Sequence, residues 1–130
     1  SVEEARARGK NVILDVDTIG AMKIRALCPD ATLVYILPPS WDELKSRLSS
    51  TGIYNKEEVN ALMEIAEEEI SCANSYDYIL VNDTISNTLS RFAQIIHSNR
   101  YSRNCMKEFL DSYIDGEVKP HVQSYKEALL

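Results

Sequence analysis

Two aspartates, Asp15 and Asp17, close a short apolar run with the sequence NVILDVD. They stand two residues apart, so on an ideal strand both carboxylates would point to the same face. Paired carboxylates at the carboxyl end of a strand suit a Mg²⁺ site or contacts to the N–H donors of a ligand. The alternative is that Asp17 caps the helix predicted to follow it and that Asp15 is a solvated charge.

A second polar pair, Asn82 and Asp83, closes the run YDYILV. Polar side chains at the carboxyl end of a strand can contact a ligand bound at that edge of a sheet. They can equally cap the helix that begins after them. The sequence leaves both interpretations open.

Other kinds of site find little support. His97 and His121 have no carboxylate or cysteine neighbours at ligand spacing, and Cys28, Cys72 and Cys105 form no C-x-x-C. We expect ordinary histidines and reduced cytosolic thiols. The chain has no G-x-S-x-G, H-E-x-x-H or Cys–His signature, which argues against hydrolase and zinc-enzyme classes. It also has no G-x-x-x-x-G-K-[ST], the loop whose backbone N–H groups hold phosphates in many phosphoryl-transfer proteins.

The charge balance narrows the range of partners. The chain has 14 basic and 20 acidic residues, a formal net charge of −6. This balance disfavours nucleic acid and the membrane surface as partners. There is no apolar stretch of about 18 residues and no charged-then-apolar leader, so the sequence predicts a cytoplasmic protein.

Three short apolar runs must position the polar residues. They predict β-strands over residues 11–16, 32–37 and 77–82, with helical patterns between them. Strands that alternate with helices predict an α/β protein, in which a parallel sheet carries helices on both faces. The aspartate pair and the Asn82-Asp83 pair would then lie at the carboxyl ends of strands, where such folds bind ligands.

Apolar residues at helical spacing predict the helices. Ser40 and Glu43 form a capping box, and Asn55 caps a longer helix that runs to about Ala73. The glutamates of that longer helix are interpreted as a solvated face, at positions 64, 67, 68 and 69. The other predicted helices cover residues 2–8 and 19–28, begin near Ile85, continue around 106–114, and end in an amphipathic segment from Pro120.

Taken in order, these segments resemble the guanylate kinase family. The resemblance is carried by Gly9-Lys10, then NVILDVDTIGAMKI, then LVYILPPSWDELKSRL, then YDYILVND. In the family, a Gly-Lys turn precedes a strand that ends Leu-Asp-Ile-Asp with a glycine nearby. A strand then runs into Pro-Pro-Ser and a helix that ends Arg-Leu, and after a lid comes Tyr-Asp with a strand into Val-Asn-Asp. The resemblance covers residues 1–97, and residues 98–130 match nothing in this pattern.

The resemblance implies a fold. That fold is the three-layer parallel sheet of the P-loop nucleotide kinases, incomplete in this sequence because the first strand and the phosphate-binding loop are absent. Residues 1–130 would be the C-terminal portion of a guanylate-kinase-like domain, with a lid at about 49–64 and an unmatched helical tail at about 98–130. In the family the loop-bearing strand lies between the first two strands predicted here, so we expect a gap or an exposed edge there.

The resemblance also implies a reaction. Guanylate kinases transfer the γ-phosphoryl group of ATP to GMP, giving ADP and GDP, with Mg²⁺. By this likeness Asp15 would lie near the metal and the phosphates, as a metal ligand and catalytic residue. Asp17 would help to hold the guanine of the substrate, and Asn82 would border the ATP.

The predicted lid departs from the family pattern. Active members have arginines at the positions of Thr51 and Leu62, and such clamps contribute a factor of about 10³–10⁵ to phosphoryl transfer. Arg47, one turn before Thr51, is the candidate substitute and therefore a candidate catalytic residue, and Lys56 begins the lid helix. The alternative for Arg47 is a surface ion pair with Glu43.

Three functions stay open at this point. The first is a guanylate kinase in the intact protein, in which case the 130 residues alone should be inactive because they lack the phosphate-binding loop. The second is a non-catalytic guanylate-kinase-like module that binds protein partners, which the missing lid arginines favour. The third is a nucleotide kinase of altered substrate choice. We also expect either marginal stability or association with another chain that completes the sheet.

Overall fold

The structure, a computed structural model, describes residues 1–116. His121 and the amphipathic segment predicted from Pro120 lie outside the described residues. Along the chain the elements are α1 (Val2–Ala7), α2 (Thr18–Leu27), β1 (Val34–Leu37), α3 (Trp41–Ser50), α4 (Lys56–Glu69), a 3₁₀ helix (Ile70–Ser75), β2 (Tyr78–Val81), α5 (Ile85–Asn99) and α6 (Lys107–Ile114). No helix within this part of the chain is long and apolar enough to cross a lipid bilayer.

The starts of α3 and α4 follow from local capping. Ser40 accepts a hydrogen bond from the Glu43 amide at the start of α3. Asn55 and Glu58 satisfy each other's backbone N–H groups at the start of α4. Both predicted starts are confirmed, because a cap depends only on residues within one turn. The Ser40–Glu43 capping box is only half formed, since the Glu43 carboxylate accepts from Arg47 instead of the Ser40 amide.

The end of α4 differs from the prediction. The α-helix stops at Glu69, and the chain continues as the 3₁₀ helix where a longer α-helix was expected. Here the Ser71 hydroxyl donates to the Glu68 carbonyl at 3.1 Å, and the Asn74 amide group donates to the Ser71 carbonyl at 3.3 Å. Such side-chain bonds compete with the regular helical pattern and favour a tighter turn.

The two strands form a parallel pair. The paired Cα positions run from Val34 opposite Tyr78 to Leu37 opposite Val81. Parallel strands joined through helices are the arrangement that the alternating pattern predicts. The parallel direction is therefore confirmed, although each strand is shorter than expected.

The strand predicted over residues 11–16 does not form, and this prediction is wrong for the described structure. The backbone from Asn11 to Asp17 joins neither β1 nor β2. A strand is defined by a hydrogen-bonded neighbour, and the neighbour implied by the family resemblance is the loop-bearing strand, which this sequence lacks. Ile13, Leu14 and Val16 are consequently 65%, 49% and 45% exposed. The described residues form a mixed α/β fold around two strands rather than three.

Few side chains are fully buried. The buried apolar residues within residues 1–116 come from α2, the residue before β1, α4 and β2, namely Ala21, Leu33, Val59 and Leu80. At the amino ends of the strands, the Asp77 carboxylate accepts hydrogen bonds from Arg25 of α2 and from the Leu33 amide. This carboxylate ties α2 to both strands below the small core.

Candidate functional site

The carboxyl ends of β1 and β2 meet at one edge of the sheet. The Asn82 amide, directly after β2, donates to the Leu37 carbonyl at 2.7 Å. The Pro-Pro-Ser segment after β1 and the Asn82-Asp83 turn after β2 therefore leave the sheet side by side. In parallel α/β folds this is the edge at which ligands bind.

Arg47 of α3 is bonded to this edge. Its Nε donates to Glu43 Oε1 at 2.8 Å, which is the ion pair considered in the sequence analysis. Its two terminal nitrogens donate to the carbonyls of Asn82 at 2.9 Å and Asp83 at 3.1 Å. These bonds use three of the five guanidinium N–H donors and hold the turn after β2 against α3.

The Asn82 side chain is oriented by α5. The Thr88 hydroxyl donates to Asn82 Oδ1 at 2.9 Å. The side-chain oxygen of Asn82 therefore already accepts a hydrogen bond. Its NH₂ group can still donate a hydrogen bond to a ligand.

Asp83 has a capping role. It accepts from the Thr84 amide at 2.7 Å and pairs with Arg91 of α5 at 3.0 Å. The hydrogen bond from Thr84, aided by Asn87 and Arg91, holds the pKa of the Asp83 carboxyl below its usual value. Sequence reasoning missed Arg91, although it lies one and two turns beyond Asn87 and Thr84 on the same helical face. This pairing favours the capping interpretation of Asp83 over ligand contact.

Asp17 is the N-cap of α2. Its Oδ1 accepts from the Gly20 amide at 2.7 Å. A Cβ on Gly20 would lie 3.0 Å from that oxygen and 3.1 Å from the Val16 Cβ, so this turn favours glycine. The capping interpretation of Asp17 is confirmed, and it occupies one carboxylate oxygen.

Asp15 is exposed, and the structure does not join it to the sheet edge. Within residues 1–116 no hydrogen bond or ion pair links Asp15 or Asp17 to Arg47 or Asn82. The structure thus brings Arg47 and Asn82 together and leaves the two aspartates on a separate segment.

The potential metal ligands among the described residues form only a partial metal site. Among the described residues no group of three or more His, Cys, Asp or Glu side chains is placed to hold a metal ion. Mg²⁺ is commonly held by one or two carboxylates together with water and substrate phosphates. An exposed Asp15 carboxylate fits one position of such a set, but not a closed protein site.

A polar cleft of about 310 Å³ lies at the opposite, amino end of the strands. It is lined by Arg25, Asp77, Thr32 and Asn99, among others. Arg25 pairs with Asp77, and the Thr32 hydroxyl donates to Asn99 Oδ1 at 2.9 Å. Because these groups bond to one another, the cleft is better explained as a structural junction than as a ligand site.

Comparison with known proteins decides the family. A family model described as "Guanylate kinase" matches residues 1–99. The chain belongs to the guanylate kinase family. The resemblance proposed from the four sequence segments is confirmed.

Curated relatives give the extent of the match. A guanylate kinase from Francisella tularensis subsp. tularensis is 46% identical over 94 residues, which cover 72% of this chain and 50% of the relative. One from Thermus thermophilus is 36% identical over 110 residues, covering 85% of this chain and 50% of the relative. One from Halalkalibacterium halodurans is 31% identical over 116 residues, covering 89% and 57%. The chain thus spans about half the length of the relatives it matches.

In this guanylate kinase family member, the segment predicted as the lid contains the end of α3, a turn and the start of α4. The Thr51 hydroxyl donates to the Leu48 carbonyl at 2.9 Å and accepts from the Ile53 amide at 3.3 Å. It acts as a turn former, where the family pattern has an arginine. Leu62 lies half-buried on α4 rather than facing outward as a charged side chain would.

Sequence reasoning also missed a contact between α2 and the end of α4. The Thr18 hydroxyl donates to Glu69 Oε1 at 3.3 Å. The sequence pattern groups Glu69 with the solvated glutamates of its helix. Glu69 differs from those glutamates because Thr18 lies opposite it in the fold. No local sequence pattern predicts a contact between residues so far apart in the chain.

Proposed function

We propose that the protein is a guanylate kinase, which transfers the γ-phosphoryl group of ATP to GMP and releases ADP and GDP in the cytoplasm. The observation that carries the proposal is the match of residues 1–99 to the family. Relatives of 46% and 31% identity are named guanylate kinases. The paired carboxyl ends of β1 and β2, with their polar turns, support it as the place where such a fold binds its ligands.

On the ATP side, the proposed residues are Asn82 and Arg47. The NH₂ group of Asn82 would border the bound nucleotide. Arg47 would present the two guanidinium N–H donors that its bonds to Glu43 and the turn leave over, and these can donate to a phosphate oxygen. Its contacts with the turn would pre-organise the cation, which is how positive charge best stabilises a transferring phosphoryl group.

On the GMP side, the proposed residue is Asp17. Guanine carries adjacent N–H donors on its N1 and N2 atoms, and a carboxylate oxygen can accept from them. Adenine lacks this pair of donors, so the same contact would disfavour AMP. The cap to Gly20 uses Oδ1 of Asp17 and would hold the other oxygen in a fixed direction.

Asp15 is proposed as a catalytic residue and as a carboxylate ligand of Mg²⁺. Bound Mg²⁺ would neutralise charge on the phosphates. The ring of backbone N–H groups that holds the β- and γ-phosphates in P-loop kinases is not encoded in these 130 residues. The proposal therefore concerns the protein that also contains such a loop, in which residues 1–130 would form the C-terminal portion of the domain.

The test is steady-state kinetics of the full-length protein, with ADP release measured against GMP and AMP. A guanylate kinase should turn over at about 1–100 s⁻¹, the usual range for kinases, and should prefer GMP. A preference for AMP or another monophosphate would instead identify a kinase of altered substrate choice. No turnover with any nucleoside monophosphate, by a protein that does contain the loop, would contradict the proposal.

A second candidate is a non-catalytic guanylate-kinase-like module that binds protein partners. The observation that favours it is the lid, where Thr51 forms a turn and Leu62 is half-buried in place of two arginines. This candidate predicts a folded full-length protein that releases no ADP with GMP. The same kinetic experiment therefore separates the two candidates.

A further inference from the structure

Glu69 stands apart from the other glutamates of α4. Those other side chains are exposed, at positions 57, 58, 64, 67 and 68, whereas Glu69 is half-buried. It is the last residue of α4, the helix that begins in the predicted lid. A carboxylate that leaves solvent needs a partner to offset its lost hydration.

Its partner belongs to the first turn of α2. The Thr18 hydroxyl donates to Glu69 Oε1 at 3.3 Å, across 51 positions of the sequence. Thr18 directly follows Asp17, whose carboxylate caps the same turn through the Gly20 amide. The turn that carries Asp17 is thus held by one local bond and by one bond from the lid helix.

The negative charge of Glu69 acts on a pair of tyrosines. Tyr35 of β1 and Tyr76 before β2 pack edge to face, with ring centroids 5.0 Å apart and planes at 89°. Burial raises the pKa of both phenols, and the negative charge of Glu69 contributes to each increase.

We propose that Glu69 is a positioning residue of the guanine site, which fixes the first turn of α2 through the Thr18 hydroxyl and so orients the Asp17 carboxylate. The inference rests on the proposed function, in which Asp17 accepts hydrogen bonds from guanine. Since Glu69 ends the helix that starts in the lid, the same contact links the lid helix to the guanine side. A small displacement of a binding carboxylate weakens the interactions that depend on its direction.

The experiment uses two variants of the full-length protein, Glu69→Ala and Thr18→Val, each removing one side of the contact. KM for GMP should rise about three- to tenfold, the scale of one net hydrogen bond, and the preference for GMP over AMP should fall to match. We expect kcat and KM for ATP to stay within about twofold. The double variant should be no worse than the more affected single variant, because both remove one interaction.

Two matched controls accompany these variants. Glu68→Ala removes an exposed glutamate from the same helix, and Thr18→Ser retains the hydroxyl; both should behave as the wild type. Hydrogen exchange of the Gly20 amide gives a readout that does not depend on activity. It should be faster in Glu69→Ala and Thr18→Val than in the controls, because the turn that protects this amide is loosened.

The inference is overturned if KM for GMP is unchanged, or if kcat and both KM values shift together with a lower Tm, which would show a purely structural role. A wild-type protein that does not phosphorylate GMP would contradict the proposed function instead. In that case, hydrogen exchange of the Gly20 amide still tests whether Glu69 holds the first turn of α2. Unchanged exchange in both variants would show that it does not.

Discussion

The Asp17 carboxylate has one oxygen committed to the protein and one available to a ligand. Oδ1 caps α2 through Gly20, while Oδ2 makes no hydrogen bond within residues 1–116. The capping and binding interpretations of this residue are therefore compatible. A cap also restricts the rotation of the carboxylate, which favours recognition of a base edge that needs a fixed acceptor direction.

The two aspartates should have separable effects in the full-length protein. Asp15→Asn should reduce kcat strongly, by about 10²-fold or more, as expected when charge stabilisation is lost. Asp17→Asn should mainly raise KM for GMP and reduce the preference for GMP over AMP, by about 10-fold or more, because a charged acceptor is replaced. Steady-state kinetics with both monophosphates measure this. If neither variant changes kcat/KM by more than a few-fold, both residues are structural only.

Arg47 should matter far more for turnover than its surface ion pair suggests. Arg47→Ala in the full-length protein should lower kcat by about 10²-fold or more if this cation reaches the phosphates. The matched change Glu43→Gln removes the ion pair but leaves the bonds to the Asn82 and Asp83 carbonyls. An exposed pair contributes only about 0.2–1 kcal/mol to stability, so Glu43→Gln should remain nearly fully active. Full activity of Arg47→Ala would show that another cation acts in the lid or that none is needed.

At the residue scale, the sequence predicts residues whose roles are local and misses those that depend on distant backbone. The cap by Asp17 and the pair between Arg47 and Glu43 lie within one helical turn, and both were anticipated. The bonds from Arg47 to the carbonyls after β2 were not. A backbone carbonyl is the same acceptor in every residue, so no residue type marks it as a partner.

At the scale of elements, the helices were predictable and one strand was not. Helix starts at α3 and α4 follow from side chains within one turn, whereas a strand needs a partner that can come from anywhere in the chain. Residues 11–16 have the apolar, β-branched composition of a buried strand, and the α2 cap follows them as expected. This composition favours a β-strand, but the segment does not form one without a neighbouring strand to pair with.

The first turn of α2 offers a test at this scale. Gly20→Ala places a Cβ 3.0 Å from Asp17 Oδ1 and 3.1 Å from the Val16 Cβ. Loss of the cap would cost about 0.5–2 kcal/mol, while replacing glycine inside a helix regains about 0.5–1 kcal/mol. Since these terms nearly cancel, we expect a change in unfolding free energy within about 1 kcal/mol.

The same variant should nevertheless weaken GMP recognition, because the Asp17 carboxylate has to move away from the new methyl group. KM for GMP in the full-length protein should rise, and urea unfolding should show little change. Ala26→Gly is the control, since it lies at an exposed position of the same helix and should lower stability by about 0.5–1 kcal/mol without affecting KM. A normal KM for GMP in Gly20→Ala would mean that Asp17 is a cap only.

At the scale of the whole molecule, the two-stranded sheet leaves much apolar surface uncovered. Ile36 of β1 is 54% exposed and Ile79 of β2 is 49% exposed, in addition to the apolar residues of 11–16. A sheet this small rarely has independent stability. The chain spans about half the length of its guanylate kinase relatives. We propose that further polypeptide, in the same or another chain, completes the sheet.

The last prediction is that residues 1–130 alone do not phosphorylate GMP. Without a phosphate-binding loop, no ring of N–H groups holds the β- and γ-phosphates, and no loop lysine or hydroxyl completes the Mg²⁺ site. Phosphoryl transfer depends on positioning and charge stabilisation, so losing this cradle removes most of the catalysis at once. A coupled assay for ADP release, with the isolated chain at micromolar concentration, is the measurement. Thermal stability provides a matched comparison, measured with and without the first half of the Francisella relative as a separate polypeptide. The added polypeptide should raise the Tm of the chain if completing the sheet buries the exposed apolar residues. Turnover of even about 1 s⁻¹ by the isolated chain, the low end for kinases, would show that residues 1–130 contain a phosphate site of their own.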